Sequence, residues 1–313
     1  MGDSDMLKHA QDVAIDEIDN LVAQPRGRQA VIDVATICRT VKYLYWFGYL
    51  AYEVGQRIDA DDIKKAIKKF QDWFGVASEY ETSKLGPKTM KAFHTSRCGC
   101  PDIVDRKNGR HKAYLKTMDA QKQLQPIWQK RALTYYIKDY MPTNVMSKTA
   151  QIHVYSEAWK AWADVCRLSF EQVKRADKAD MLITTGRGIE DELDGPGGML
   201  AWSYMPEGDD KQLLVKFDLD ETWVDDTDKN GVCLFNVACH EFGHMLGLSH
   251  SKVKGALMAP FYNAAVANPQ LDDDVERIRD IYGRSATCAN CIGVPQEIDL
   301  TFNGQQFTYI LKG

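Results

Sequence analysis

The chain has 313 residues, of which 44% are hydrophobic and 27% charged, and its formal net charge at pH 7 is −5. This length allows a sizeable core and suggests about two domains. The acidic balance gives no basic surface for a nucleic acid, and no stretch reaches the roughly 18 apolar residues of a membrane span. The composition is typical of a soluble globular protein, which we expect to be a monomer.

The first third of the chain is predicted to be helical. Residues 1–40 are expected to form a helical extension, and residues 41–102 a small all-α bundle. Apolar residues recur at helical spacing between Ala60 and Phe74, at Ile63, Ala66, Ile67, Phe70, Trp73 and Phe74. The N-terminus is acidic and has neither a basic nor an apolar segment, so no export signal is visible.

The bundle is expected to end at SRCGCPD, Ser96 to Asp102, which contains two of the chain's eight cysteines. Residues 103–125 follow; they are polar and basic, and they lack apolar periodicity. We interpret them as an exposed linker, a type of segment that proteases cut.

Beyond the linker, strand and helix patterns alternate from residue 126 to residue 284. Strands are predicted at residues 133–137, 179–184, 200–204 and 213–219, and helices at 156–165, 234–246 and 273–282. Ser156 is the expected N-cap of the first of these helices. The alternation predicts an α/β layered domain. The tail, residues 285–313, alternates around Asn303-Gly304 and predicts a hairpin.

A metal-binding motif, HEFGHMLGLSH, extends from His240 to His250. His240 and His244 lie one helical turn apart on the same face, and Gly247 lets the chain leave the helix so that His250 becomes a third ligand. Three protein nitrogens leave zinc one open position for water, as in a catalytic site, and Glu241 is placed to act as the general base. Chance histidines on a surface helix are the weaker interpretation, because three of only seven histidines fall in this window.

This motif resembles that of the matrixins, the matrix metalloproteinases of the metzincin clan. Ser251 follows the third histidine, and ALMAPFY places Met258 below the metal, as in that family. The resemblance covers about residues 40–284, through LTYYI, AWADV, ADMLI, DGPGGMLAWSY, FDLDETW and DDVERIRDIYG. It implies a metzincin fold with a mixed, mostly parallel twisted sheet and about three helices. It also implies a secreted endopeptidase that acts on extended, matrix-type proteins.

SRCGCPD resembles the family's inhibitory propeptide motif PRCGxPD. The resemblance implies that Cys98 binds the zinc in a latent form, that Arg97 and Asp102 hold the loop, and that an activating protease cuts the linker. Ser96 stands where the family has proline, and Cys100 is a second thiol that could compete for zinc or oxidise with Cys98. The alternative interpretation is a turn that happens to contain two cysteines.

The resemblance also predicts which further metals are present. The family's structural zinc has four ligand positions, which here are Arg187, Ile189, Trp202 and Lys216, so we expect this zinc to be absent and the catalytic zinc to be the only one. We expect Trp202 and Ile189 to brace the loop by packing instead. The family's calcium cage is matched by the carboxylates of Asp194, Asp218 and Glu221 and by the carbonyls of Gly195, Gly197 and Met199. The alternative for calcium is a glycine-rich turn with unrelated surface acids.

In this family the strand that corresponds to LAWSY pairs with extended substrate. The resemblance implies an S1′ pocket between the catalytic helix and the segment after the methionine turn, here Pro260, Phe261 and Tyr262. It favours a hydrophobic P1′ residue. Asn236 stands near the pocket where the family often has leucine, although an ordinary polar helix residue is an equally good interpretation.

Two alternatives to an active, latent protease remain open. One is a catalytically silent relative, which would need a lost ligand or a lost Glu241, and neither is lost. The other is a relative targeted to cell walls, because the N-terminal bundle resembles peptidoglycan-binding modules. The direct junction of that bundle to SRCGCPD favours an inhibitory propeptide.

Overall fold

A computed structural model of the chain describes residues 6–8, 10–13, 19, 21–23, 32–52, 57–76, 81–103, 127–206, 211–226, 230–284, 300–303 and 308–311. Most of the predicted linker therefore lies outside the described residues, as do Cys288, Cys291 and Gly304 of the tail. In the described part of the chain, no helix is both long and apolar enough to cross a membrane.

The N-terminal bundle, the described residues up to Ile103, contains helices α1 (Val34–Trp46), α2 (Ala60–Phe74) and α3 (Pro87–Phe93). Helix α1 begins at the N-cap Asp33, whose carboxylate accepts from Thr36 N at 2.8 Å. Because α1 is continuous through residue 40, a boundary between residues 40 and 41 would cut a helix, and we propose that the bundle begins before Val34.

Helix α2 follows the apolar spacing that predicted it. Asp59 and Asp62 form a capping box at its start, and Gly75 ends it in the left-handed conformation, at φ +60°. Its apolar face is buried and centres on Phe70, which contacts the rings of Tyr43, Tyr49 and Phe93. These contacts make a largely aromatic core for the bundle.

One six-stranded sheet dominates the α/β domain, residues 127–284. Its strands are β1 (Arg97–Cys98), β2 (Ala132–Ile137), β3 (Ser169–Gln172), β4 (Met181–Gly186), β5 (Met199–Ser203) and β6 (Leu213–Asp218). The spatial order is β1-β5-β6-β4-β2-β3, and only the β5–β6 pair is antiparallel. The prediction of a mixed, mostly parallel sheet is confirmed. The edge strand β1 comes from the N-terminal bundle.

Helices α4 (Lys148–Ala163), α5 (Leu234–Met245) and α6 (Glu276–Tyr282) complete the α/β domain, which confirms the expected number of three. Ser156 is not an N-cap: it lies inside α4, and Ser147 caps that helix by accepting from Ala150 N. The interface between α4 and α5 is the centre of the core, where Trp159 stacks on Phe242 with ring centroids 3.8 Å apart.

Four short strands lie outside the main sheet. Strands β7 (Trp223–Val224) and β8 (Val232–Cys233) pair in parallel just before α5. In the tail, β9 (Leu300–Asn303) and β10 (Thr308–Leu311) pair antiparallel, with Asn303 opposite Thr308. The alternation around Asn303 therefore predicted the pairing of the tail.

Candidate metal centre

Helix α5 and the turn after it bring the three predicted histidine ligands together. His240 and His244 are on one face of α5, and Gly247 follows the helix at φ +99°, a conformation that favours glycine. The turn is closed by a hydrogen bond from Leu248 N to Gly243 O at 3.0 Å. His250 then lies beside the other two, with its ring centroid 5.4 Å from that of His240 and 4.8 Å from that of His244.

Each ring is oriented through its Nδ1 atom. Nδ1 of His240 lies 2.6 Å from Leu257 O, and Nδ1 of His244 lies 2.6 Å from Leu248 O. Nδ1 of His250 lies 2.7 Å from an oxygen of Asp102. A carbonyl can only accept, so the first two rings donate from Nδ1, which leaves Nε2 as the ring atom that can face a metal.

The Nε2 atoms have the properties that a zinc site needs. Those of His240 and His250 are buried without a hydrogen-bond partner, and that of His244 is 3.5 Å from Cys98 Sγ. Ligand atoms from these four residues all lie within 4.8 Å of one another. Tetrahedral zinc, with bonds of about 2.0–2.3 Å, separates its ligand atoms by about 3.3–3.8 Å, so the group fits zinc after small movements.

The protonation of the rings also suits a metal. Burial lowers the pKa of His240 well below its usual range, and it lowers that of His250 to about 4 despite the hydrogen bond to Asp102. Burial acts in the same direction on His244, but the Cys100 thiol raises the pKa of that ring to about 9. A positive charge is thus favoured between His244 and the thiols.

Glu241 is fully buried next to these ligands. Its Oε2 accepts from Ser203 Oγ at 2.7 Å, and its Oε1 has no hydrogen-bond partner. Burial raises the pKa of this carboxyl to about 8, and the charge of the Cys100 thiol acts in the same direction. Ser203 was not predicted from the sequence, because no local motif links strand β5 to a residue 38 positions later.

Met258 is fully buried in the turn that supports His240. Its carbonyl accepts from Ser251 N at 2.8 Å, which ties the turn to the residue after His250. The buried carboxylate of Asp274 accepts from Leu257 N, Met258 N and Gln270 N at 2.7–3.0 Å. Asp274 was also missed, although it holds the residue whose carbonyl orients His240.

Replacing Asp274 by alanine is expected to lower the free energy of unfolding by about 2–5 kcal/mol, because three N–H groups lose their acceptor. The matched control is Asp273→Ala, which removes only a partly exposed ion pair with Arg277 at 3.2 Å and should cost less than about 1 kcal/mol. Urea unfolding of the full chain measures both. Equal losses in the two variants would contradict this role of Asp274.

The switch segment, Ser96 to Asp102, lies extended across the metal centre. Strand β1 pairs in parallel with β5, and on its other side Cys98 N donates to Pro260 O at 2.9 Å and Tyr262 N donates to Ser96 O. A Cβ at Gly99 would lie 2.2 Å from Met199 Sδ and 3.1 Å from Ala201 O, so any larger residue would require the Met199 side chain to move. The segment thus fills the cleft beside the histidines and pairs with both of its edges, strand β5 and residues 260–262.

Two thiols and one ion pair of the switch segment meet at the centre. Cys98 Sγ faces His244, whereas Cys100 Sγ lies 3.4 Å from Ser203 O and 3.8 Å from Glu241 Oε2. Arg97 donates to Asp102 at 2.6 Å, and its guanidinium lies over the ring of Phe47 at 3.6 Å from the centroid. Burial would raise the pKa of Asp102, but Arg97 and His250 lower it to about 2.

Three of the four positions of the family's structural zinc take other partners here. Lys216 Nζ lies 2.6 Å from an oxygen of Asp191, Trp202 Nε1 donates to Asp191 O at 3.1 Å, and Arg187 pairs with Asp220. The expectation that Ile189 braces the loop by packing is wrong, since its side chain is 79% exposed. Asp191 braces the loop instead, and absence of the structural zinc stays a prediction.

The predicted calcium ligands surround one glycine-rich loop. The carboxylates of Asp194, Asp218 and Glu221 accept from Met199 N, Gly195 N and Gly197 N at 2.7, 3.2 and 2.6 Å. Burial raises the pKa of all three acids; the charge of Asp218 raises that of Asp194 and Glu221 further, and the charge of Asp191 raises that of Asp218. In the described chain, their oxygens do not form a group of three within 4.8 Å.

A small cavity of about 30 Å³ adjoins the metal centre. Its walls include the predicted pocket residues Asn236, Pro260 and Tyr262, together with Cys98 and Glu241. Asn236 is 3% exposed; its Nδ2 donates to Ala264 O at 3.0 Å, and its Oδ1 is buried without a partner. The polar replacement therefore leaves an unpaired acceptor at the pocket.

Comparisons with known proteins agree with this geometry. The family model for matrixins matches residues 127–283. The chain is 30% identical to matrix metalloproteinase-25 of Mus musculus over 80% of its length, which is 42% of that relative. It is 32% identical to stromelysin-1 of Mus musculus over 81% of its length, which is 50% of that relative. It is also 32% identical to interstitial collagenase A of Mus musculus over 80% of its length, which is 53% of that relative. The chain thus spans about half the length of the curated relatives it matches.

Proposed function

Because the chain belongs to the matrixin family, we propose that it is a zinc-dependent metalloendopeptidase made as a latent zymogen. The observation that carries the proposal is the set of buried Nε2 atoms of His240, His244 and His250, which lie beside the Glu241 carboxylate and under the sulfur of Cys98. We further propose that residues 126–284 are the catalytic domain and that the N-terminal bundle is its propeptide.

When bound by the three histidines, zinc would polarise the scissile carbonyl and acidify the attacking water. The residues of the chain do the remaining work. Glu241 takes the proton of the water on a carboxylate oxygen and passes it to the leaving amine. Ser203 holds the carboxylate by its 2.7 Å hydrogen bond, and burial raises the affinity of this carboxylate for a proton.

The switch segment supports latency by two blocks. Cys98 would supply the fourth zinc ligand, and strand β1 covers the edge of β5 where substrate backbone would pair. Release then requires cutting the segment between Ile103 and Ile127 by an activating protease, which leaves the N-terminal bundle free to dissociate. The contact of Cys98 with His244 and the backbone bridge between Arg97 and Phe261 favour this role over cell-wall binding.

Calcium binding by the glycine-rich loop is part of the proposal. Burial raises the pKa of all three carboxyls, the charge of Asp218 raises that of Asp194 and Glu221 further, and a divalent cation would relieve this repulsion. We propose one zinc, at least one calcium, and no structural zinc. By family resemblance we propose action outside the cell on extended proteins.

The experiment that tests the function uses the full chain, cut within residues 104–126 by an added protease that is then inhibited. A quenched gelatin-like peptide should be hydrolysed, and a zinc chelator should abolish the signal. Intact chain should give little signal. A cut chain that binds zinc without hydrolysing any extended peptide would favour the catalytically silent alternative.

Asn236 is expected to set the preference at P1′. Asn236→Leu removes an unpaired buried acceptor and adds apolar surface, so kcat/KM for a substrate with leucine at P1′ should rise about tenfold relative to one with glutamine. The ratio of kcat/KM for the two substrates is measured separately for each variant, so that an error in the concentration of active enzyme cancels. Asn236→Asp, which stays polar, should not raise the ratio, and a rise in both variants would contradict the assignment.

A further inference from the structure

The three candidate zinc ligands differ in what orients them. His240 and His244 donate from Nδ1 to carbonyl oxygens of Leu257 and Leu248, which belong to the α/β domain itself. The partner of His250 is the Asp102 carboxylate, 148 residues earlier in the chain and part of the switch segment. The ring of His250 is therefore oriented by the N-terminal bundle, whereas the rings of His240 and His244 are oriented by the α/β domain.

His250 is also the ligand that is not on a helix. His240 and His244 are fixed by α5, whereas His250 follows the turn at Gly247, so its ring depends more on its hydrogen bond for orientation. Ligating histidines generally need such an acceptor on the other ring nitrogen, and loss of the acceptor weakens metal binding.

Asp102 is built to accept. Arg97 Nη2 donates to its Oδ1 at 2.6 Å, and Tyr49 OH donates to its Oδ2 at 2.7 Å. The Asp102 side chain is fully buried. Because Arg97 and Tyr49 supply the donors, the carboxylate can only accept from His250, which fixes the proton on Nδ1 and leaves the lone pair of Nε2 for a metal.

We propose that Asp102 is a positioning residue for zinc, so that the N-terminal bundle strengthens zinc binding through His250 as well as through Cys98. This inference rests on the proposed function, since it assumes that the three histidines bind zinc. It separates two effects of the switch segment: Cys98 adds a ligand, and Asp102 orients a ligand that the α/β domain provides. Loss of the bundle would remove both effects.

The test measures zinc affinity of the full chain by competition with a chelating indicator. All variants carry Glu241→Gln so that the chain does not cut itself. Asp102→Ala, which removes the acceptor of His250 Nδ1, should weaken zinc binding about 10–100-fold. Tyr49→Phe removes a hydrogen bond from the same carboxylate but leaves His250 untouched, so zinc affinity should change less than about threefold.

The deciding comparison repeats Asp102→Ala in a Cys98→Ala chain. If Asp102 only keeps the segment seated so that Cys98 reaches the zinc, its loss has no effect once Cys98 is gone, and that result overturns the proposal. A similar 10–100-fold loss in both backgrounds supports it. A parent chain that binds no zinc at all would instead refute the proposed function, which keeps the two failures distinct.

Discussion

Replacing Glu241 by alanine in the cut, active chain is expected to lower kcat/KM for an extended peptide by about 10²–10⁴-fold, with zinc content unchanged. The reason is that Glu241 is not one of the four proposed zinc ligands, Cys98, His240, His244 and His250. Its carboxylate is nevertheless buried beside them, and its Oε1 has no hydrogen-bond partner. The variant removes proton transfer and spares the ligands. Elemental analysis beside peptide hydrolysis gives both readouts.

The control for this experiment is Ser203→Ala, which keeps the carboxylate and removes the 2.7 Å hydrogen bond to it. A hydrogen bond to a charged group contributes about 1.5–3 kcal/mol, so the loss should be about 10–100-fold and smaller than that of Glu241→Ala. Full activity of Glu241→Ala with one bound zinc would exclude Glu241 as the general base.

Replacing Cys98 by alanine in the uncut chain is expected to abolish latency. Structural zinc sites contribute about 10–16 kcal/mol over four ligands, or about 3 kcal/mol for each, so loss of this ligand should raise the fraction of open, active chain about 100-fold. Hydrolysis of a small quenched peptide by the uncut variant measures it. Unchanged latency would mean that β1 pairing alone closes the cleft.

Cys100→Ala is the matched comparison, because Cys100 is the neighbouring buried thiol: its sulfur lies 3.8 Å from Glu241 Oε2 and within 4.8 Å of a His244 ring nitrogen, but it does not belong to the group that contains all three histidines. We expect this variant to remain latent within about threefold of the parent, since the Cys98 ligand stays in place. Equal activation by both variants would indicate that the two thiols share the zinc.

Local sequence was sufficient for the parts of the site that lie close together in the chain. The spacing of His240, His244 and His250 and the glycine between them predicted the arrangement seen, and the strand character of short apolar runs predicted β2, β4, β5 and β6. The apolar spacing in α2 likewise predicted which face is buried. In each case the physical cause acts within one turn or one strand.

The residues that were missed are defined by contacts between distant segments. Ser203 reaches Glu241 from a strand, Asp274 reaches Leu257 from the segment before α6, and Asp191 takes up Lys216 and Trp202. The residues next to a single polar residue in a strand or loop do not indicate which distant residue it will contact. The same limit explains the wrong N-cap at Ser156, since Ser147 caps α4 two turns earlier and no breaker separates them.

The switch segment is held in the cleft by hydrogen bonds and packing, and the described cysteines are free thiols, so no disulfide in that part of the chain fixes it there. Cutting between Ile103 and Ile127 removes none of these contacts. It converts an intramolecular partner into a separate molecule, and the local concentration that a tether provides, about millimolar for a short flexible linker, falls to the concentration in solution. Activation then has two stages, cleavage of the chain and dilution of the released bundle. At a high protein concentration, the cleaved bundle would stay bound and the protease would stay inhibited after the first stage.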